Sequence, residues 1–156
     1  LSIPFTLLFV GGGDLEQAMR EAAAERGIAD NVRIVPSIPH AEVPKYLNAI
    51  DVLVLPSFTV PHWKEQFGQI LVQGMCCEIP VLGSTHAEIP HVIGGAGLTF
   101  TERSVDDLHV KLRMLVESAD LRREFGSAGR RHVLRNYTND IIARKTLDIY
   151  TSLLQS

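Results

Sequence analysis

Val52-Leu53-Val54-Leu55-Pro56-Ser57, then Trp63-Lys64-Glu65-Gln66-Phe67-Gly68-Gln69-Ile70-Leu71-Val72-Gln73-Gly74-Met75-Cys76-Cys77, then Ile79-Pro80-Val81-Leu82-Gly83, is the stretch on which the fold class turns. Its outer runs are short, wholly apolar and bounded by Pro or Gly, as strands buried on both faces are. Between them Phe67, Ile70, Leu71, Gly74 and Met75 fall at i, i+3, i+4, i+7 and i+8, while Gln66, Gln69 and Gln73 share the polar side. That is one apolar face of a helix over about Gln66–Cys77. Strand, helix, strand of this kind predicts a parallel pair joined by a crossover.

The same alternation extends outward. Thr6–Val10 reads as a strand closed by Gly11-Gly12-Gly13. A helix then carries Leu15, Met19, Ala22 and Ala23 on one face, with Asp14 as its cap and Gly27 as its stop. Val32–Val35 is the next strand, Pro44–Ala49 a short helix, and Gly97–Phe100 a fifth strand. Beyond Thr101 the pattern is helical only: Val105–Glu117, Ala119–Asn136, which Asp120-Leu121-Arg122-Arg123 opens with a cap and a basic face, and Thr138–Leu154. The expectation is one α/β domain over 1–156. Its core is a Rossmann-like, doubly wound, largely parallel sheet, and the late helices close over it.

Composition removes several function classes. The chain has 156 residues, 46% hydrophobic and 21% charged, the balance of a folded globular protein rather than a disordered one. With 15 basic against 18 acidic residues the net charge is −3, and no basic block is present, which argues against nucleic acid as a partner. The apolar runs Leu7–Val10, Val52–Leu55 and Ile70–Val72 are far shorter than the roughly 18 residues of a membrane span. No secretory leader is visible, and the two cysteines, Cys76 and Cys77, are adjacent and close no useful loop. A reducing, cytoplasmic setting follows. Arg122, Arg123, Arg130, Arg131 and Arg135 read as a solvated face, with peripheral contact at an anionic inner membrane surface as the alternative.

The chemistry concentrates at strand ends. In an open α/β sheet the ligand crevice lies beyond the carboxyl ends of the strands. Glu65-Gln66-Phe67-Gly68 sits where a loop feeds a helix, so unpaired backbone N–H groups and the helix dipole favour an anionic or hydroxyl-rich ligand. Gly68, without Cβ, lets that ligand approach the main chain. Gly11-Gly12-Gly13 is either a tight strand-to-helix turn or a phosphate contact through its backbone, Gly12 included; it lacks the dinucleotide and P-loop spacings. Cys76, Cys77, His62, His86 and His91 lack metal-ligand spacing, so no metal is expected and both thiols read as small buried hydrophobes.

Pro56-Ser57, Trp63–Gly68, Met75, Ile79-Pro80-Val81, Gly83-Ser84, Glu88-Ile89-Pro90 and Ala96-Gly97, taken in order, resemble the nucleotide-sugar-binding C-terminal domain of the retaining group 1 GT-B glycosyltransferases. That family shows Pro-Ser, then Glu-x-Phe-Gly with seven residues separating its Glu from a second, then Gly-x-Pro-Val. An earlier strand ends in glycines, as Val10-Gly11-Gly12-Gly13 does here. The resemblance implies hexosyl transfer from a UDP- or GDP-sugar in polysaccharide or glycolipid assembly, without a resident cofactor. Glu65 would be the catalytic carboxylate on the sugar hydroxyls, and the N–H groups of Phe67, Gly68 and Gln69 would meet sugar and phosphate. Ile70 would pack on the ribose, and Gln73, where the family has Glu, would hold the ribose hydroxyls more weakly than a carboxylate. Ile38 would touch the base and His40 hydrogen-bond it, unless His40 is simply an exposed loop histidine. Gly74, Cys76 and Glu78 replace the family's Ala, Ala and Gly, and Ser84-Thr85-His86-Ala87 departs from its small, Gly-rich loop.

The resemblance further implies a parent enzyme with an acceptor-binding N-terminal domain and a first strand–helix unit ahead of this chain, so that the fragment alone is inactive. If Thr6–Val10 and Val52–Leu55 flank the place of that first strand, they are expected to pair directly or to exchange strands in a homo-oligomer. The rival readings are a non-catalytic α/β module for a nucleotide or protein, and an unrelated cofactor domain, which the missing dinucleotide fingerprint disfavours.

Overall fold

The computed structural model describes residues 3–155, in two compact units that meet in sequence between Val43 and Pro44. In the first, β1 (Leu7–Val10) and β2 (Val32–Val35) form a parallel pair in the register Leu7 opposite Val32 and Val10 opposite Val35. The crossover is α1 (Glu16–Glu25). Asp14 does not cap it: Leu15 stands at the N-cap, and no side chain accepts there. Gly27, at φ +66°, does end it, since the left-handed conformation carries no Cβ penalty in glycine. Among the described residues of this unit Ala23 is the buried hydrophobic, while Leu7, Phe9 and Val10 remain more than a third exposed.

The second unit holds β3 (Leu53–Leu55), β4 (Val81–Ser84) and β5 (Leu98–Phe100), all parallel and in the order β3-β4-β5. Around them run α3 (Gln69–Cys76), α4 (Ile89–Ile93), α5 (Val105–Glu117) and α6 (Ala119–Asn136), whereas α7 (Asn139–Leu154), expected to close over the sheet, packs against α6 and buries none of its residues. The short α2 (Val43–Leu47) precedes them all. β4 is buried at every position, and its period of two divides its side chains between two cores. Val81 joins Leu71, Met75, Ile89, Val92, Ile93 and Val133 beneath α3, α4 and α6. Leu82 joins Phe100 and Leu115 beneath α5. Each such side chain contributes about 1.5–3 kcal/mol by leaving water.

Helix ends follow local chemistry. Ser104, Ser118 and Thr138 accept the N–H groups of Asp107, Leu121 and Ile141, each worth about 1 kcal/mol. The cap of α6 is therefore Ser118 rather than Asp120. At the other ends, Arg122 donates to the carbonyls of Leu115 and Val116 at 2.8 and 2.9 Å, and Arg130 donates to Cys76 O at 2.6 Å. These arginines close α5 and α3, where a cation also suits the helix dipole, and Arg123 pairs with Asp120.

Three further readings change. Direct pairing of Thr6–Val10 with Val52–Leu55 is absent from the described ladders, which run β1 on β2 and β3-β4-β5. Helix α3 starts at Gln69, three residues later than its periodicity suggests, because Gly68 at φ +74° leaves the helical path. Cys76 is exposed and Cys77 half-buried, so neither is a core hydrophobe; burial, then the neighbouring Cys76, raises the Cys77 thiol above its ordinary value. Glu78 takes φ +58°, a left-handed position that the resembling family fills with Gly.

Helix α6 meets the turn after α3 through Gly126, where a Cβ would press on the Glu78 carbonyl and backbone. Gly126→Ala is therefore expected to lower stability by about 1–3 kcal/mol, read as a lower thermal midpoint. An unchanged midpoint would show that α6 can shift away without cost.

Candidate functional site

The carboxyl ends of β3, β4 and β5 lie side by side because the strands are parallel neighbours, and the loops leaving them interlock. After β3, the segment 56–68 is drawn in by Ser84 Oγ donating to Ser57 O. A turn closes Val60 on Trp63. After β4, His86 projects a fully buried ring whose Nε2 accepts the Glu65 N–H at 2.9 Å. Its Nδ1 lies 3.1 Å from Glu102 Oε2 and 3.0 Å from Thr59 Oγ1. Trp63 stacks on the ring at 5.8 Å with planes 20° apart. After β5, Glu102 accepts from Thr59 Oγ1 at 3.0 Å, its N–H reaches Thr85 Oγ1, and Arg103 donates to Thr59 O over the face of Phe58.

Glu65, half-buried, turns its carboxylate onto the amino end of α3 and accepts the Gly68 N–H at 3.0 Å. Sequence reading assigned both groups to a ligand, and the fold brings them into direct contact. Gly68 is also sterically constrained: a Cβ there would stand 3.1 Å from Leu71 Cδ1 and 3.2 Å from Leu55 Cδ2, on top of its left-handed φ. Phe67 is 39% exposed and meets Tyr137 edge-on at 5.5 Å, so it stands beside the α3 face rather than in the core beneath it. Gln69 is exposed at the first position of the helix, with Ile70 and Gln73 half-buried along it.

Gly12, Ile38 and His40 belong to the first unit. Gly12 lines a cleft of about 400 Å³ with Glu16, Arg20, Ile34, Pro36 and Ser37, at the carboxyl ends of β1 and β2. Ile38 is half-buried and His40 exposed, and neither lines that cleft. A wider cleft of about 560 Å³ at the carboxyl end of α4, bordered by Gly94, Gly95, His132 and Tyr137, contains none of the sequence-predicted residues. The strand-end loops lie where an open parallel sheet offers its ligand crevice, and they are the candidate site. Among the described residues no group of three His, Cys, Asp or Glu could hold a metal ion, and no helix is long and apolar enough to cross a membrane.

Residues 2–132 match the family of glycosyl transferases group 1. The chain belongs to that family. A D-inositol 3-phosphate glycosyltransferase of Streptomyces coelicolor is 28% identical over 142 residues, 90% of this chain and 30% of the relative. A GDP-mannose-dependent monoacylated alpha-(1-6)-phosphatidylinositol monomannoside mannosyltransferase of Corynebacterium glutamicum is 28% identical over 153 residues, 96% of this chain and 39% of that one. The chain thus spans between 30% and 39% of the length of these relatives. HepE of Anabaena, solved in complex with UDP, superposes with a TM-score of 0.83 at 18% identity over 95% of this chain and 41% of that one. Sucrose-phosphate synthase from Thermosynechococcus elongatus superposes with a TM-score of 0.80 at 24% identity, over 96% and 39%. These likenesses show the fold, the parallel α/β architecture of group 1 glycosyltransferases.

Sequence reading gave no site role to His86, Glu102 and Thr59. In this chain they tie three loops together, and the departure at Ser84–Ala87 from the family's loop signalled His86 alone. Partial burial alone would raise the Glu102 carboxyl. Hydrogen bonds from Thr59 and His86 outweigh it and hold Glu102 below the usual range. A depressed carboxyl adds stability above the ordinary glutamate value of about 4.3, and that contribution is lost as pH falls through the lower folded value. Between about pH 5 and pH 3 the thermal midpoint should therefore fall less steeply in Glu102→Gln than in the wild type. Parallel profiles would remove the ionised Glu102 from the folded-state network.

Proposed function

We propose that this chain is the donor-binding half of a retaining glycosyltransferase that moves a hexosyl group from a UDP- or GDP-sugar to an acceptor in polysaccharide or glycolipid assembly. The observation that carries the reading is the Glu65 carboxylate set against the Gly68 N–H at the amino end of α3, above the strand ends. A carboxylate already occupies a backbone N–H where a phosphate or sugar oxygen would be welcome. The relatives support the donor class, one being named for GDP-mannose dependence and one neighbour solved with UDP.

In this reading the nucleotide diphosphate lies across the first turn of α3, whose N–H groups and dipole meet its charge and stabilise it as it departs. The left-handed Gly68 brings the main chain close, and Glu65 swings from Gly68 to the donor sugar's hydroxyls, orienting the anomeric carbon towards the acceptor. Ile70 packs on the ribose and Gln73 bonds its hydroxyls. No resident cofactor takes part. The chain by itself binds donor and does not turn it over; the acceptor side belongs to the whole protein.

Calorimetric titration of the chain with UDP and GDP should show saturable binding of at least one, and silence towards both would overturn the reading. In the whole protein, Glu65→Ala is expected to cut transfer roughly ten- to a hundred-fold, the loss of a charge-assisted hydrogen bond. Its stability should drop by only about 1 kcal/mol. Equal loss of folding and activity would make Glu65 a helix cap and nothing more. Gln73→Glu should tighten nucleotide binding several-fold, and unchanged affinity would remove position 73 from the ribose.

A further inference from the structure

His86 has been given no part in ligand binding so far, yet its ring is buried and fully hydrogen-bonded. Its side chain has no solvent exposure, and both of its nitrogens are hydrogen-bonded. Neutral imidazole carries one N–H and one lone pair, and a buried ring must match each to the right partner. The partner of Nε2 is the Glu65 backbone N–H, a donor only, so Nε2 must be the acceptor. The proton therefore sits on Nδ1, which faces Glu102 Oε2 and Thr59 Oγ1. Thr59 sends its own hydroxyl proton to the same Glu102 oxygen, so all three side chains are satisfied at once. The opposite tautomer would set N–H against N–H at Glu65 and leave Nδ1 without a proton for the carboxylate. Trp63, stacked on the ring, resists the flip that would exchange the nitrogens.

We infer that His86 is a positioning residue of the donor site: locked as its Nδ1–H tautomer by Glu102 and Thr59, it fixes the main chain at Glu65 and so aims the Glu65 carboxylate. The role rests on the donor-site reading above. The geometry gives Glu65 two fixed points. Its N–H is held by His86 and its carboxylate rests on Gly68 N–H, so the donor need release only the second. The titratable and charged groups facing this network from the neighbouring loops are Glu65 after β3 and Glu102 and Arg103 after β5. Residues 21 apart in sequence, Glu65 and His86, thereby act as one unit.

The test uses the 156-residue chain. Nitrogen NMR of ¹⁵N-histidine-labelled protein should report protonated Nδ1 and bare Nε2 for His86, and protonated Nε2 overturns the inference. His86→Phe keeps an aromatic ring for Trp63 and removes the acceptor. It should speed hydrogen exchange at the Glu65 amide and weaken the nucleotide bound by the wild type by about tenfold, the scale of one lost hydrogen bond. His86→Gln, whose side-chain oxygen reaches towards the Nε2 position, should restore affinity to within about threefold of wild type. A purely structural role would weaken both variants alike, and unchanged affinity in His86→Phe also refutes the positioning role. If His86→Phe does not fold, Glu102→Leu, at a partly exposed position, releases the tautomer instead. It should raise the Nε2–H population and weaken the nucleotide in step. Should the wild type bind neither UDP nor GDP, the donor-site reading fails and takes the positioning role with it. Tautomer and Glu65 exchange would still show whether His86 holds that segment.

Discussion

The complete burial of β4 is the constraint on which the larger unit depends. Val81, Leu82, Gly83 and Ser84 show no exposed side, so everything that covers them must come from both faces of the sheet. Val81 commits α3, α4 and α6 to one face, and Leu82 commits α5 to the other. Gly83 takes no side chain because Ile89 and Ile93 of α4 lie directly over it; a Cβ there would stand 2.8 Å from Ile93 Cδ1. Ser84 ends the strand by reaching across to Ser57 O, which carries the order of the core into the loops above it.

Those loops are held by hydrogen bonds rather than by apolar burial. Trp63 and Phe58 remain about half exposed, and the segment 56–68 contains no long apolar run of its own. What fixes it is a set of polar contacts to His86, Glu102 and Arg103, each on a different strand's loop from the segment. Such an arrangement is stiff where the partners are satisfied and adjustable where one bond can be exchanged for a ligand's. Glu65 has both qualities, fixed at its N–H and exchangeable at its carboxylate. Another departure from the family pattern, Glu78, holds a left-handed turn and shares Arg130 with the end of α3.

Strand and helix periods, the apolar face of α3, the glycine turn after β1 and the Glu-x-Phe-Gly motif were legible because each is a local pattern. Apolar spacing reports burial directly, and a family motif repeats the same few residues. The serine and threonine caps follow the same local chemistry, and at α6 the cap is Ser118, two positions before Asp120. The start of α3 was not legible, since Gln66 and Phe67 fit the helical face and only the left-handed Gly68 excludes them.

The sequence alone determined the α/β class, the buried face of α3 from Leu71 to Met75 and the placement of Glu65 before a helix, though not Leu15 or Phe67, which are exposed. Tertiary structure decided that β1 pairs with β2 and β3 with β4, that Cys76 is exposed, and that His86 meets Glu65, Thr59 and Glu102. The physical reason is that periodicity encodes which side of an element is buried, whereas a hydrogen bond between loops depends on which strand ends are neighbours. Sheet order brings His86 within 2.9 Å of a backbone N–H and Glu102 within 3.1 Å of its other nitrogen, and no local pattern in the chain records that order.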